Sequence, residues 1–424
     1  MTKFIRNGLI IVAFILTLFI VGCANEPTTN GDGTFTVEFY DKYAETPLLK
    51  SITCNVGEPC NIVPPAEPDN KENTYFTRWS VWEDDFDEIQ SNTRITPIYT
   101  LDNRLVTIGG RSVVFYSFFI MLGIMTSLFL GLREIKRTGV NQDDLIDGFL
   151  WIVPVSILGA RLWYVVFEWD QFVYGEFFPS LLRVLGFSSG RLDFSSFGLA
   201  GLAIHGAFFV AFICVLLFTK KRKMNLWKVL DVMAVGFILA QAFGRWGNFF
   251  NQEAHGGLVG GMTNGVANLT LQEQFNFLRY SIGIPEFIVN NMYIAQGSGG
   301  YIVTPVTGFY HPTFFYESML NLVGFAVMLV LRRVKTIRFG ELLALYLVWY
   351  GGVRIFIETM RTDPLVFQFL GMTFKSAIVT SVLMILGGIL LSLYIRFKLK
   401  GETYSTVSGC IELNKTKNIE EVKE

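Results

Sequence analysis

From Val113 onward the chain is organised as long apolar runs separated by short polar clusters. Runs of roughly 18 or more apolar residues are long enough to cross a hydrocarbon layer as helices. They fall near 112–132, 147–167, 200–219, 227–246, 313–331, 341–360 and 374–395. Residues 24–106 have another rhythm. Stretches such as Thr34–Tyr40 and Arg94–Tyr99 alternate apolar and polar positions, the period of half-buried strands. Residues 1–23 join Lys3 and Arg6 to an apolar run from Leu9 to Val21, the layout of a signal segment. The polar tail 401–424 is predicted to be disordered and cytoplasmic. The pattern thus predicts an all-α polytopic membrane protein: a seven-transmembrane-helix bundle over 107–400, preceded by a small extracytoplasmic β-rich domain over 24–106.

Composition supports lipid as the main solvent. Charged residues are 17% and hydrophobic residues 51% of the 424 positions, with a mean hydropathy of +0.42; ordinary soluble chains carry about 25% charged residues. The near-zero net charge excludes a basic nucleic-acid binder, and the hydrophobicity excludes a disordered chain. The five cysteines (Cys23, Cys54, Cys60, Cys214, Cys410) and three scattered histidines form no zinc-ligand spacing, so no metal is expected. Basic clusters at Arg133/Lys136/Arg137, Lys220–Lys223, Arg332/Arg333/Lys335/Arg338 and Arg396/Lys398/Lys400 each follow an odd-numbered span. Between the fourth and fifth spans Arg279 is the sole basic residue. The positive-inside rule places the odd exits in the cytoplasm and both the 24–111 region and the 247–312 loop outside.

At the N-terminus, Ile20-Val21-Gly22-Cys23 resembles a bacterial lipobox, in which the cysteine is lipid-modified and a peptidase cuts before it; the alternative is an uncleaved signal anchor. Residues 24–106, with GEPCNIVPP and the aromatic YFTRWSVW, loosely resemble the β-grasp-like repeat of bacterial surface proteins related to the internalin B repeat. Cys54 and Cys60 lie close enough to bridge in an oxidising exterior or to remain two thiols. Residues 177–187 read as a segment lying at the membrane interface.

Charged residues within apolar helices are costly and usually have a partner and a task. Here they are Arg161, Arg245, Glu253, Glu317, Glu341, Arg354, Glu358 and Arg361. The segment Gly244–Gly256, GRWGNFFNQEAHG, gathers Arg245, Asn248, Asn251, Glu253 and His255 at the outer end of the fourth span. A guanidinium there presents forked donors suited to phosphate. Tyr350, Arg354 and Glu358 repeat at i, i+4, i+8 and share a helix face. His205, early in the third span, is either a base for a thiol proton or a core histidine. His311 and Glu317 in HPTFFYE either line the same cavity or cap the fifth span. These residues indicate a polar cavity for an anionic, lipid-like substrate without specifying the reaction.

GRWGNFFNQEAHG meets every fixed position of G-R-x-[GA]-N-F-x-N-x-E-x-x-G, and so resembles the signature of the prolipoprotein diacylglyceryl transferase family. FYSFFIMLG through Tyr116, LGARLWYVVF, GLAIHGAF through His205, HPTFFYESMLNL and YGGVRIFIETMRTD follow in family order over 107–398. The resemblance implies transfer of an sn-1,2-diacylglyceryl group from phosphatidylglycerol to the lipobox cysteine thiol of prolipoproteins, with release of glycerol 1-phosphate. The partners it implies are phosphatidylglycerol, lipobox signal peptides and membrane lipid, with no nucleic acid and no cofactor. It implies that Arg245 binds the phosphate, with Arg354 as second clamp and His205 as candidate base. Glu253 joins these as a catalytic candidate. Asn248, Asn251, Tyr116, Tyr350, Glu358 and Gly256 would line the substrate site. Departures from the family pattern are Ala207 for the second glycine after His205, Ser376 where a glutamine is usual, a longer 252–312 loop and the added outer domain. The lipobox-like start makes Cys23 a candidate for self-lipidation. A phospholipid transporter, another lipid-headgroup transferase and a membrane-anchored adhesin are the competing readings.

Overall fold

The computed structural model describes residues 29–407 apart from 42–43, 45, 70–73, 109–110, 174, 188–202, 297–303, 363–365, 370–371 and 400. The signal-like segment with Cys23, and the tail beyond Val407, lie outside the described residues. Seven long helices follow the predicted apolar runs: α1 (Phe115–Arg137), α2 (Gln142–Phe167), α3 (Ile204–Lys221), α4 (Leu226–Phe250), α5 (Thr313–Leu331), α6 (Glu341–Met360) and α7 (Ser376–Leu393). Six of them, all but α3, are long and apolar enough among the described residues to cross a membrane. The seven helices leave Met121, Trp151, Leu217 and Leu383 exposed, apolar surface of a kind that lipid, not water, accommodates.

The chain divides into two compact units. The first comprises 1–121, 243–319 and 355–378; the second comprises 122–242, 320–354 and 379–424. The first opens with the β-rich module. β1 (Thr34–Tyr40) is the middle strand of a three-stranded sheet. It pairs antiparallel with β2 (Leu48–Asn55) and parallel with β4 (Thr93–Ile95). Its alternation sends Phe35, Val37 and Phe39 into a core completed by Trp79, Phe86 and Ile95. The stretch read as one strand over 94–99 is two. Thr96 exchanges backbone and side-chain bonds with Ser80, which turns β5 (Pro97–Tyr99) onto β3 (Phe76–Trp79). Cys54 and Cys60 form a disulfide, so the bridged alternative is the one observed. The 106/107 boundary falls inside a hairpin of β6 (Arg104–Ile108) and β7 (Arg111–Val114) that runs directly into α1. The β-branched Val113 and Val114, read as the start of the span, are strand residues instead.

The described residues of 251–312 form a folded head on this unit. A capping box between Thr270 and Glu273 starts a helix at Leu271–Asn276. A second helix, Glu286–Asn291, and the short pair Tyr293–Ile294/Gly308–Phe309 follow. Its core gathers Phe249, Val259, Phe275, Leu278, Ile288 and Phe309.

In the second unit, α2 and α3 touch through glycines. A Cβ on Gly206 would lie 2.4 Å from the Gly159 carbonyl oxygen, so no larger residue fits that contact. Arg161 donates to the Arg183 and Val184 carbonyls and stacks its guanidinium over Phe172. It thereby ties α2 to the amphipathic turn Phe177–Val184, whose Phe177 and Phe178 are exposed. Gly401–Val407, assigned from sequence to the disordered tail, is an ordered element here: Tyr404 is buried against Phe339. Its hydroxyl and the Gly340 and Leu343 amides all donate to Asp231, which buries that carboxylate of α4 with three donors. Glu134, at the end of α1, is buried between Arg332 and Arg333 from the end of α5. Arg333 binds it bidentately at 2.7 and 2.5 Å. Glu341 is held by Arg396 and by the Arg338 amide.

Candidate active site

The site is built where α4 runs out. Asn251 and Glu253 still donate their amides back to Gly247 and Asn248, but the backbone then turns through positive φ at Gln252 (50°) and Ala254 (55°). Left-handed backbone at residues other than glycine is uncommon and persists where the surroundings hold it. Thr313 Oγ1 donates to the Ala254 carbonyl at 2.6 Å. The following strand is zipped on both sides: Gly256 N to His311 O at 2.8 Å and Gly257 N to Met360 O at 3.1 Å. The end of α4, the start of α5 and the end of α6 are thus fixed to one strand. Gly256 is required by this crossing, because a Cβ there would lie 2.8 Å from the His311 Cβ.

On this frame the polar side chains form a continuous chain of contacts. Glu317 on α5, 1% exposed, pairs with Arg245 Nη2 at 2.8 Å. Arg245 Nη1 donates to Asn248 Oδ1 at 3.5 Å. Asn248 and Asn251 both donate to Glu253 Oε1, at 2.9 and 3.3 Å. A carboxylate, a guanidinium, two amides and a second carboxylate therefore alternate. Burying a cation this way demands a partner, and Glu317 supplies it while leaving Arg245 one-fifth accessible. Arg245 is a cation that is neutralised yet reachable, the condition for binding an anion in an apolar setting. Tyr116 lies over Gly247, where a Cβ would come 2.5 Å from its ring.

Of the residues expected from sequence, Tyr116, Arg245, Asn248, Asn251, Glu253, Gly256 and Glu358 fall in the first unit. Glu358 is buried there, at the end of α6. Tyr350, Arg354 and His205 fall in the second unit. Arg354 is half-buried on α6, Tyr350 stacks on Tyr346 at 5.9 Å, and His205 is exposed in the first turn of α3. His255 is a core residue, its Nδ1 2.9 Å from the Gly256 carbonyl and its ring edge-on to Tyr310. His311 is half-buried beside the Tyr316 hydroxyl at 3.3 Å, and burial pushes its imidazole below the usual range. Arg161 and Glu341, singled out as charges inside helices, serve the structural contacts described above.

The model of the prolipoprotein diacylglyceryl transferase family matches residues 103–394. The chain belongs to that family. Relatives named phosphatidylglycerol–prolipoprotein diacylglyceryl transferase include one from Listeria innocua, 36% identical over 307 residues, covering 72% of this chain and 94% of the relative. Another, from Halalkalibacterium halodurans, is 37% identical over 301 residues, covering 71% and 89%. A third, from Bacillus cereus, is 40% identical over 265 residues, covering 62% and 83%. With its apolar helices, membership makes this a multi-pass membrane protein. The family match begins at 103, so the sheet of β1, β2 and β4 lies before it. Glu317 was legible in HPTFFYE as a charge inside a span, but its pairing with Arg245, 72 positions away by number, was not.

Proposed function

We propose that this chain is a phosphatidylglycerol–prolipoprotein diacylglyceryl transferase of the bacterial plasma membrane. The observation that carries the reading is the neutralised but accessible Arg245, held between Glu317 and the Asn248–Glu253–Asn251 cluster. In the reaction a lipobox cysteine loses its thiol proton, and the thiolate attacks the glyceryl carbon that carries the phosphate ester. The C–S bond forms as the C–O bond breaks, and the electron pair leaves with glycerol 1-phosphate. A thiolate is the competent nucleophile, and the phosphate gains charge as it departs, which a fixed guanidinium stabilises. Arg245 takes the phosphate and Arg354 is the second clamp. Tyr350 and Glu358 shape the site, and Tyr116, Asn248, Asn251, Glu253 and Gly256 line it. His205 accepts the thiol proton.

In this reading all seven long helices span the membrane. The basic clusters that follow α1, α3, α5 and α7 face the cytoplasm, and the β-rich module and the 251–312 head lie outside. The alternating charge pattern supports that orientation. Purified protein in detergent, given phosphatidylglycerol and a lipobox peptide, is expected to release glycerol phosphate and to raise the peptide mass by one diacylglyceryl group. Movement of lipid across vesicles without either signal would favour a transporter instead.

The same chemistry makes Cys23 a substrate of the enzyme that carries it, leaving the module suspended between a lipidated Cys23 and α1. Mass spectrometry of the mature protein is expected to find an N-terminus at Cys23 bearing lipid. An intact Met1 start with an unmodified thiol would rule this out.

A further inference from the structure

The β-rich module is not hung loosely beside the head; it is bonded to the same short backbone that carries Glu253. The Tyr75 hydroxyl lies 2.8 Å from the Tyr293 carbonyl oxygen and 3.0 Å from Gln252 Oε1. The amide of Gln252 donates to the Asn291 and Tyr293 carbonyls at 2.7 and 3.1 Å. Asn291, itself buried, accepts from the Leu101 amide of the module at 2.9 Å and donates to the Phe249 carbonyl at 2.9 Å. Module, head and the last turn of α4 therefore meet at Gln252 and Asn291.

A second contact fixes the module's orientation. Arg78, 8% exposed, lies over the ring of Phe275 at 4.4 Å and that of Trp82 at 4.8 Å. It donates to Glu286 and Asn290 at 3.3 Å each. Trp82 packs into the head's core against Phe275 and Phe309. Gln272 bonds both carboxylate oxygens of Asp85. A buried arginine held against two aromatic rings and paired with a half-exposed carboxylate is the kind of anchor on which an interface depends.

Gln252 is the residue that most needs holding. It stands directly before Glu253, with φ +50°, and Ala254 on the other side has φ +55°. The conformation that presents Glu253 to Asn248 and Asn251 is therefore intrinsically unfavourable and persists because its neighbours over-determine it. The family pattern leaves position 252 open, so its partner need not be one that every relative carries.

We propose that the module is a working part of the active site, with Tyr75 as a positioning residue that fixes Gln252 and, through it, the Glu253 backbone. The inference rests on the transferase reading above, and it makes the added domain a support for catalysis instead of an independent adhesin.

The test uses full-length protein and Tyr75→Phe, which removes one hydroxyl and keeps the ring. Hydrogen exchange at the amides of 251–254 is expected to quicken by about tenfold as that turn opens more often. Turnover is expected to fall by about tenfold, since small displacements of a positioned group carry large rate costs, with KM for phosphatidylglycerol and the melting temperature unchanged. Gln252→Ala should do the same, and the double variant should be no worse than Gln252→Ala alone. Arg94→Ala, which removes an exposed pair with Glu38 and a contact over the Tyr40 ring, both away from Tyr75 and Gln252, should leave exchange at 251–254 and turnover at wild type. Wild-type exchange and turnover in Tyr75→Phe would overturn the proposal, and so would a loss of turnover that merely tracks a loss of melting temperature. A wild-type protein that transfers no diacylglyceryl group would refute the assigned reaction, while the exchange measurement would still decide whether Tyr75 governs the Glu253 turn.

Discussion

Arg245→Ala is expected to lower diacylglyceryl transfer by at least about 100-fold, the scale of losing a fixed donor to a developing oxyanion. The substitution has a second effect that must be separated from the first. It removes the Arg245 pairing of Glu317, which is 1% exposed, and losing one partner of a buried charge costs up to about 3–5 kcal/mol. Arg245→Ala should therefore lose both activity and thermal stability. Arg245→Ala combined with Glu317→Gln should recover much of the melting temperature, because the buried charge that lost its guanidinium is gone, while transfer stays at the level of Arg245→Ala. Arg245→Lys should keep stability and part of the activity, since a single ammonium neutralises Glu317 but cannot also reach Asn248 and a phosphate with a planar fork. The measurement is glycerol phosphate release together with peptide mass, beside a melting curve for each variant. Transfer that survives in Arg245→Ala would move the phosphate clamp to Arg354.

The largest purely structural effect is expected at Glu134. Its carboxylate receives Arg333 bidentately and faces Arg332 at 3.7 Å and Arg137 at 4.0 Å. Arg332 is buried, and burial pushes its guanidinium down to about 10, with Glu134 acting in the opposite direction. Glu134→Ala removes the carboxylate that these cations share, which is expected to cost about 3–5 kcal/mol. Removing one of several cations leaves the carboxylate paired, so Arg137→Ala, at an exposed position, should cost under about 1 kcal/mol. Thermal unfolding in detergent, followed by loss of extractable folded protein, checks the order. Equal melting temperatures for Glu134→Ala and wild type would show that the cluster carries no stability.

The long helices were legible because apolar runs bounded by charge leave a coarse record: those runs predicted the helix positions to within about five residues, and six of the helices are apolar and long enough to span a membrane. The end of α4 was equally legible, since Arg245, Asn248, Asn251 and Glu253 crowd into one turn and its exit. What stayed hidden were contacts between residues far apart in sequence. Glu134 sits among Arg133, Lys136 and Arg137 and was absorbed into a basic cluster, although it is the buried centre of an ion pair formed with α5. The Arg245–Glu317 pair joins two motifs that were each recognised separately. The docking of Tyr75 and Arg78 onto the head left no periodic trace, because a tyrosine just before a four-residue strand and an arginine within it read the same whether they face water or protein. Gly401–Val407 looked disordered by its polarity, yet one buried tyrosine ring anchors it.

That anchor bears on the timing of assembly. Asp231 enters the chain 109 positions before the Gly340 amide that binds it and 173 positions before the Tyr404 hydroxyl. During synthesis α4 must wait with a carboxylate whose donors do not yet exist, and a helix carrying such a group is held near water until they arrive. The joining of α4 to α6 is therefore a late event, completed only after Tyr404 has left the ribosome.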